Sequence, residues 1–384
     1  MGKIESTGGP VLCVVGARPN YMKMAPLIRA FGQRADMPPA LLVHTGQHYD
    51  AFMNDQLFRD LQLPTPDVNL EVGSGSHAVQ TAEIMKRFEP IVDAHKPSCV
   101  VVVGDVNSTI ACGLVAVKKE VALVHVEAGL RSNDRRMPEE INRVLTDQIS
   151  DVLYTTERSA LANLVREGID DARVHFVGNL MIDSLHAHRP RAVPAPESLA
   201  KAGVRAEELA EWERFGIVTL HRPSNVDQAE TLGPLVETLA DASHRLPLVL
   251  PLHPRTRANI DRFGLAGKLA AGRILTVQPL GYLEMLGLMS AATVVLTDSG
   301  GIQEETTALG VPCLTLRENT ERPITIEQGT NTLVGTDRHA ILRELDALLS
   351  TGGKRGRVPE LWDGQAAARI AEHLAGWIGQ RVAH

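Results

Sequence analysis

The chain has no apolar run of about 18 residues, the length from which a membrane-spanning helix is read. Its opening residues, MGKIESTGGP, lack the apolar stretch of a secretory leader. Positive charge is not in surplus either. The formal net charge is −7, which argues against nucleic acid or an anionic membrane as a partner, so any basic site for an anionic ligand must be local. Cysteine is scarce. Of the four, Cys13, Cys99 and Cys313 fall in strand-like runs and Cys112 in a helical one. No two form a CxxC pair, so they read as reduced core thiols of a cytoplasmic protein. There is no tandem repeat, low-complexity tract or cluster with zinc-ligand spacing, and no metal or cofactor is called for. What remains is a chain of 384 residues, enough for two domains of ordinary size that bury roughly three quarters of their extended surface.

Strand-like and helix-like segments alternate, which implies an α/β fold with parallel sheets. The most informative stretch is VVLTDSGGIQEETTALGVPCLTLRENTERP, 294–323. Val294 to Leu296 predicts a buried strand. Ile302, Thr306 and Leu309 recur at helical spacing, with Gly310 as a stop and Pro312 beyond it. Pro312 to Leu316 is a second strand. The Ser299-Gly300-Gly301 turn then lies at the start of a helix, where unpaired N–H groups and the helix dipole favour an anion. Glu304 and Glu305 lie in the first turns of that helix, and Arg322 follows the next strand.

Earlier in the chain, Val11 to Val15 predicts a strand ending in GARP, with Arg18 at its C-terminal end and a helix running to about Phe31. Cys99 to Val103 ends in Gly104-Asp105, the next helix covers Asn107 to Lys119, and Val121 to Val126 leads to Glu127. If the two strands are parallel neighbours, Asp105 and Glu127 emerge at the sheet edge where open α/β sheets bind ligands. Pro138 opens a helix with Glu139 and Arg143 one turn apart. The Pro- and Ala-rich segment His186 to Ser198 reads as an interdomain linker, with the crossing a few residues earlier. The second half repeats the pattern. Gly216 to Leu220 ends in His221-Arg222, Leu246 to Leu252 ends in His253-Pro254, and Ile274 to Val277 leads to PLGY. The expected domains are 1–183 and 184–363, with a terminal amphipathic helix, from about Gly364 to Ile378, packing back across both.

GARPNYMKMAP, GDVNST, HVEAGLRS with PEEINR, GN followed by ID, HRPSNVD, DSGGIQEE and TERP occur in this order from Val11 almost to the C-terminus. Together they resemble the non-hydrolysing UDP-N-acetylglucosamine 2-epimerases. The resemblance implies two Rossmann-like domains facing across a cleft (a GT-B-like arrangement), a homodimer, no metal or other cofactor, and a role in making a cell-surface polysaccharide precursor. It implies interconversion of UDP-N-acetylglucosamine and UDP-N-acetylmannosamine by elimination of UDP and re-addition. Asp105, Glu127 and Glu139 match the active-site carboxylates and His221 the catalytic histidine. Arg18, Lys23, Arg143, Arg222 and His253 would contact the diphosphate or support the site. Ser299, Gly300 and Gly301 would cradle phosphate, Glu305 would bind the ribose hydroxyls, and Arg322 would meet sugar or phosphate.

Several of these residues also have structural readings. Asp105 suits a helix N-cap. Glu139 and Arg143 could be an exposed ion pair worth only ~0.3–0.5 kcal/mol. His221 could be a satisfied strand-end histidine, and His253 could shape a turn. His44 and His48 flank a loop and receive no catalytic role. The chain departs from the family pattern at Asn20, where Glu is common, at Ser224 in place of Glu, and at Met285, where an aromatic is frequent. Asp50, in GQHYD, argues against activation by substrate at a second site. The departures leave open a related 2-epimerase of UDP-2,3-diacetamido-glucuronate. A hydrolysing epimerase, a glycosyltransferase of the same fold and a UDP-sugar sensor are further alternatives.

Overall fold

A computed structural model describes residues 8–46, 57–205, 207–208 and 212–382. Its chain divides into two compact units, 1–187 with 360–384, and 188–359. Each is a parallel, doubly wound sheet, so the fold is that of two Rossmann-like domains.

The first unit holds strands β1 (Val11–Val15), β2 (Ala40–His44), β3 (Val68–Asn69), β4 (Cys99–Val103), β5 (Ala122–Ala128), β6 (Val152–Thr155) and β7 (Val174–Phe176). Their order is β3-β2-β1-β4-β5-β6-β7, and every pairing is parallel. Every residue of β1 and β4 is buried, which explains their unbroken apolar runs: a parallel sheet is covered on both faces. On one face Leu12, Val14, Val100 and Val102 pack with Ile84 and Phe88 of helix His77–His95 and with Ala111 and Val115 of helix Asn107–Lys118.

The second unit holds β8 (Gly216–Thr219), β9 (Leu248–Pro251), β10 (Ile274–Val277), β11 (Val294–Thr297), β12 (Cys313–Thr315) and β13 (Asn331–Leu333), in the order β10-β9-β8-β11-β12-β13. Its strands alternate between two cores. Val218, Leu250 and Leu296 meet Leu235 and Leu239 on one face. Ile217, Val249 and Val295 meet Leu288 and Met289 on the other.

Strand order reverses direction between β1 and β4 and again between β8 and β11. The C-terminal ends of those strands are the crevices where such sheets take ligands.

The segment read as a linker is largely helical. One helix runs Leu180–His188 and another Ala195–Lys201. Pro194 stands as the N-cap of the second, a position outside the hydrogen-bonded turns where its missing N–H costs nothing. The terminal helix, Ala366–Val382, belongs to the first unit and packs on helix Arg18–Gly32. Asp183 accepts hydrogen bonds from the N–H groups of Ala366 (3.2 Å) and Ala367 (2.8 Å), and Trp362 donates to the Thr156 carbonyl at 3.0 Å. All four cysteines are free and buried. No helix among the described residues is long and apolar enough to cross a membrane.

Candidate active site

At the β1/β4 crevice the turn after β1 is set by Asn20. Its Oδ1 accepts the N–H groups of Gly16 and Ala17, both at 3.1 Å, and its Nδ2 donates to the Val103 carbonyl at 2.9 Å. Asn20 therefore joins the ends of the two strands, a task for which an amide suits because it both accepts and donates. Helix Arg18–Gly32 then turns Lys23 inward, where this residue, 5% exposed, forms an ion pair with Glu127, 3% exposed. Arg18, at the first helical position, is exposed.

Glu127 has φ of 69°, a left-handed conformation that is costly for a residue with a side chain. It sits where the β5–β6 register shifts between Val126 and Ala128. Glu127 is the extra residue of a bulge, and bulges re-aim side chains. Next to it Gly104 has φ of +70°, and a Cβ there would lie 3.6 Å from Lys23 Nζ and 3.7 Å from Glu127 Oε1. The glycine forms the floor beneath the ion pair.

Asp105 is not a helix N-cap: Val106 holds that position before helix Asn107–Lys118. Its carboxylate instead takes a hydrogen bond from Arg143 Nη2, and Asn142 Nδ2 donates to its backbone carbonyl at 3.0 Å. Arg143, 1% exposed, also donates to Glu140 Oε2 at 2.7 Å. The expected Glu139–Arg143 pairing does not form. Glu140, at i−3 on the buried face, takes that place and also accepts the N–H groups of Ser132 and Asn133, both at 2.9 Å. Glu139 is half-buried and makes no hydrogen bond or ion pair among the described residues. Asp105, Glu127, Lys23 and Arg143 thus come together at one strand edge, with Glu139 in the first turn of the helix that carries Arg143.

At the β8/β11 crevice Asp298 is fully buried. It accepts from the N–H groups of His221 (3.1 Å) and Arg222 (2.9 Å) and from Asn225 Nδ2 (3.3 Å). His221 Nδ1 lies 2.9 Å from its Oδ1. Burial alone would raise the Asp298 carboxyl, but the hydrogen bond and charge of His221 and the two backbone donors outweigh it and hold the group below the usual carboxylate range. The His221 ring is thereby fixed through Nδ1. His253 caps helix Pro254–Arg262, its Nδ1 accepting from the Arg255 N–H at 3.3 Å, and its ring centroid stands 6.1 Å from that of His221.

Ser299 is the N-cap of helix Gly300–Leu309, whose first N–H groups have no intrahelical acceptor. Beside that terminus lies a buried carboxylate ringed by arginines. Glu321 receives Arg317 Nη2 at 2.8 Å and Arg222 Nη2 at 3.2 Å, with Arg322 Nη1 at 3.8 Å. Burial would raise Glu321, but the three guanidinium charges hold it far below its usual range. With Glu304 also paired to Arg322, three guanidinium cations face two carboxylates, which leaves this corner net positive. Arg317 Nη1 and Arg222 Nε are buried with no acceptor among the described residues. A Cβ at Gly300 would lie 2.7 Å from Glu321 Oε1, so the helix start has no room for a side chain. Arg322 Nε donates to Glu304 Oε1 at 2.8 Å, and Glu305 accepts from the Tyr282 hydroxyl at 3.0 Å. No group of three or more His, Cys, Asp or Glu suited to a metal ion occurs among the described residues.

Sequence reasoning missed Glu140, Asp298, Arg317, Glu321 and Tyr282. Asp298 directly follows β11, so its strand-end position was an available signal, and Glu321 lay inside the TERP motif. Arg317 directly follows the expected strand Pro312 to Leu316, so strand-end position was its signal too. Of the departures, Ser224 is exposed and Met285 packs against the second unit's core. Most of GQHYD, including His48 and Asp50, lies outside the described residues.

Residues 33–375 match the family model described as UDP-N-acetylglucosamine 2-epimerase. A Methanococcus maripaludis protein named UDP-N-acetylglucosamine 2-epimerase is 40% identical over 88% of this chain and 91% of its own length. A Pseudomonas aeruginosa protein named UDP-2,3-diacetamido-2,3-dideoxy-D-glucuronate 2-epimerase is also 40% identical, over 95% and 99%. The crystal structure of Methanocaldococcus jannaschii UDP-GlcNAc 2-epimerase in complex with UDP-GlcNAc and UDP superposes with a TM-score of 0.84 at 37% identity, covering 96% of this chain and 99% of that one. The chain belongs to the UDP-N-acetylglucosamine 2-epimerase family.

Proposed function

We propose that the protein interconverts UDP-N-acetylglucosamine and UDP-N-acetylmannosamine without releasing free sugar. The observation that carries this reading is the division of labour between the two crevices. One presents the carboxylates Asp105 and Glu127, each against a cation. The other presents a helix N-terminus, an arginine cluster and a fixed histidine.

Inversion at C2 needs a weakly acidic proton removed from one face and another delivered to the opposite face. A carboxylate takes the C2 proton, the C1–O bond breaks, UDP departs with the electron pair, and a 2-acetamidoglucal forms. UDP oxygen then adds back to C1 while C2 is protonated from the other side. Asp105, Glu127 and Glu139 are the proton-handling candidates. Arg143 pairs with the first and Lys23 with the second, and these ion pairs aim the carboxylates. His221, fixed by Asp298, serves the departing diphosphate together with Arg222 and Arg322. The Ser299 hydroxyl and the N–H groups of Gly300 and Gly301 supply donors to phosphate, where negative charge develops, since the Ser299 N–H already donates to Thr297 Oγ1 at 3.0 Å. Glu305 receives the ribose hydroxyls, Arg18 serves the diphosphate, and His253 supports the His221 side.

A cytoplasmic location, a homodimer and a polysaccharide-precursor role belong to the same proposal and rest on the family resemblance. Incubation of purified protein with UDP-N-acetylglucosamine, followed by chromatography, tests the activity. UDP-N-acetylmannosamine with no free sugar is the expected product. Free N-acetylmannosamine would mark a hydrolysing enzyme. Inertness toward this substrate, with turnover of UDP-2,3-diacetamido-glucuronate, would move the assignment to the activity named for the Pseudomonas relative. Light scattering tests the dimer.

A further inference from the structure

Behind the carboxylate crevice lies a buried charged network that no step above uses. His125, in β5 and 0% exposed, has both ring nitrogens bonded. Nδ1 lies 2.6 Å from Asp147 Oδ1, and Nε2 lies 2.8 Å from the Gly104 carbonyl oxygen. A carbonyl oxygen can only accept. Asp147 is fully buried, and its other oxygen already accepts from the Gly129 N–H at 3.0 Å and Arg131 Nη2 at 2.7 Å. Burial would raise the Asp147 carboxyl, but the charges and hydrogen bonds of His125 and Arg131 outweigh it and keep it below its usual range. Arg131 in turn donates to Glu167 at 2.8 and 2.6 Å.

Two acceptors facing one imidazole leave both ring nitrogens as donors. With His125 doubly protonated, the network Glu167–Arg131–Asp147–His125 carries two positive and two negative charges. With a neutral ring either the buried Asp147 oxygen or the Gly104 carbonyl would face a bare ring nitrogen and lose its donor, which is costly at this depth.

The far end of this network is the catalytic floor. Gly104 donates its N–H to the Val126 carbonyl at 3.0 Å, its carbonyl is held by His125, and its Cα faces Lys23 and Glu127. Its next residue is Asp105, and the residue after Val126 is the bulged Glu127. One peptide therefore fixes the backbone entry of both proton-handling carboxylates.

We infer that His125 is a buried imidazolium and a positioning residue, clamping the Gly104 carbonyl so that Asp105 and Glu127 are held in register for proton transfer at C2. The inference rests on the activity proposed above. A second copy, ligand or metal is not required by it.

Nitrogen NMR of ¹⁵N-histidine-labelled protein at neutral pH reads the protonation directly, with the His125 signals assigned by their loss in His125→Gln. Protons on both ring nitrogens are expected, and a bare nitrogen would overturn the inference. Kinetics read the positioning. His125→Phe is expected to lower kcat on the order of 100-fold, as misplacement of reacting groups does, with KM and UDP affinity little changed. His125→Gln, which keeps a donor for Gly104, should recover part of that loss. Unchanged kcat in a folded His125→Phe protein would refute the clamp. If neither variant folds, the ring signals are assigned by their couplings to the His125 backbone in ¹³C,¹⁵N-labelled unaltered protein, and its NMR still decides. An unaltered protein that converts no UDP-sugar would fail the functional reading, whereas an active one with a singly protonated His125 fails this inference alone.

Discussion

His221 and Asp298 form a dyad in which Nδ1 stands 2.9 Å from a carboxylate oxygen that is itself fully buried. Asp298 also accepts two backbone N–H groups and an amide at the same strand ends, so it fixes both the turn after β8 and the direction of the histidine ring. Asp298→Asn would turn an amide NH₂ toward one of these donors. It should cost about 1.5–3 kcal/mol of stability, the range for hydrogen bonds to a charged group, and reduce turnover with it. Unfolding curves and initial rates check this. A variant as stable and active as the parent would remove Asp298 from the site.

Asp105→Asn and Glu127→Gln keep shape while removing the negative charge. Each should lower turnover by about 10²–10⁴-fold, the range for loss of a general acid or base, while circular dichroism stays native. An Asp105→Asn enzyme of normal turnover would sink its assignment. Glu139→Gln separates the third candidate from its neighbour Glu140, whose bonds to Arg143, Ser132 and Asn133 make it structural. Glu140→Gln should mainly lower the melting temperature.

At the other crevice, Ser299→Ala should weaken UDP binding by ~1–3 kcal/mol if its contact is to charged phosphate. Gly300→Ala should weaken it too, because the new methyl must displace Glu321, 2.7 Å away, from its arginines. Calorimetric titration with UDP showing native affinity in both variants would count against the helix terminus as the phosphate cradle.

The His175–His373 contact gives a pH dependence. Burial, then the neighbouring His373, lowers His175 from an ordinary value of 6.5 to about 4. Below pH 6.5 the unfolded chain therefore takes up a proton that the folded chain does not. Stability contributed by the neutral ring is complete above pH 6.5 and falls as pH drops toward 4. Melting temperatures at pH 7.5 and 5 should differ less for His175→Gln than for the parent. Equal pH sensitivity would contradict the assignment.

Much of this was legible in the sequence. Val11–Val15 and Cys99–Val103 have the expected bounds because both strands are buried on both faces, and an apolar run bounded by glycine turns admits little else. The Gly310 stop also stands where expected. Short strands with half-exposed residues, such as Val68–Asn69 and Asn331–Leu333, carry no such signature and went unseen. The proline-rich segment does hold the division between the units, at Ala187/His188, but it is largely helical, because proline is compatible with the first residues of a helix as well as with a linker. Within the site, types and strand-end positions were legible but partners were not. Lys23 was expected near the diphosphate and pairs with Glu127, and Arg143 chose Glu140 over Glu139. Such choices depend on which way a helix face is turned by packing, and on the left-handed bulge at Glu127, which no local propensity predicts.

The most direct test of the account is proton NMR of the protein with UDP-N-acetylglucosamine in D₂O. The account predicts UDP-N-acetylmannosamine appearing with deuterium at C2, because a proton leaves one face and solvent-exchanged hydrogen returns to the other. Epimerised product retaining the original hydrogen at C2, or no reaction in a protein that binds UDP, would contradict it.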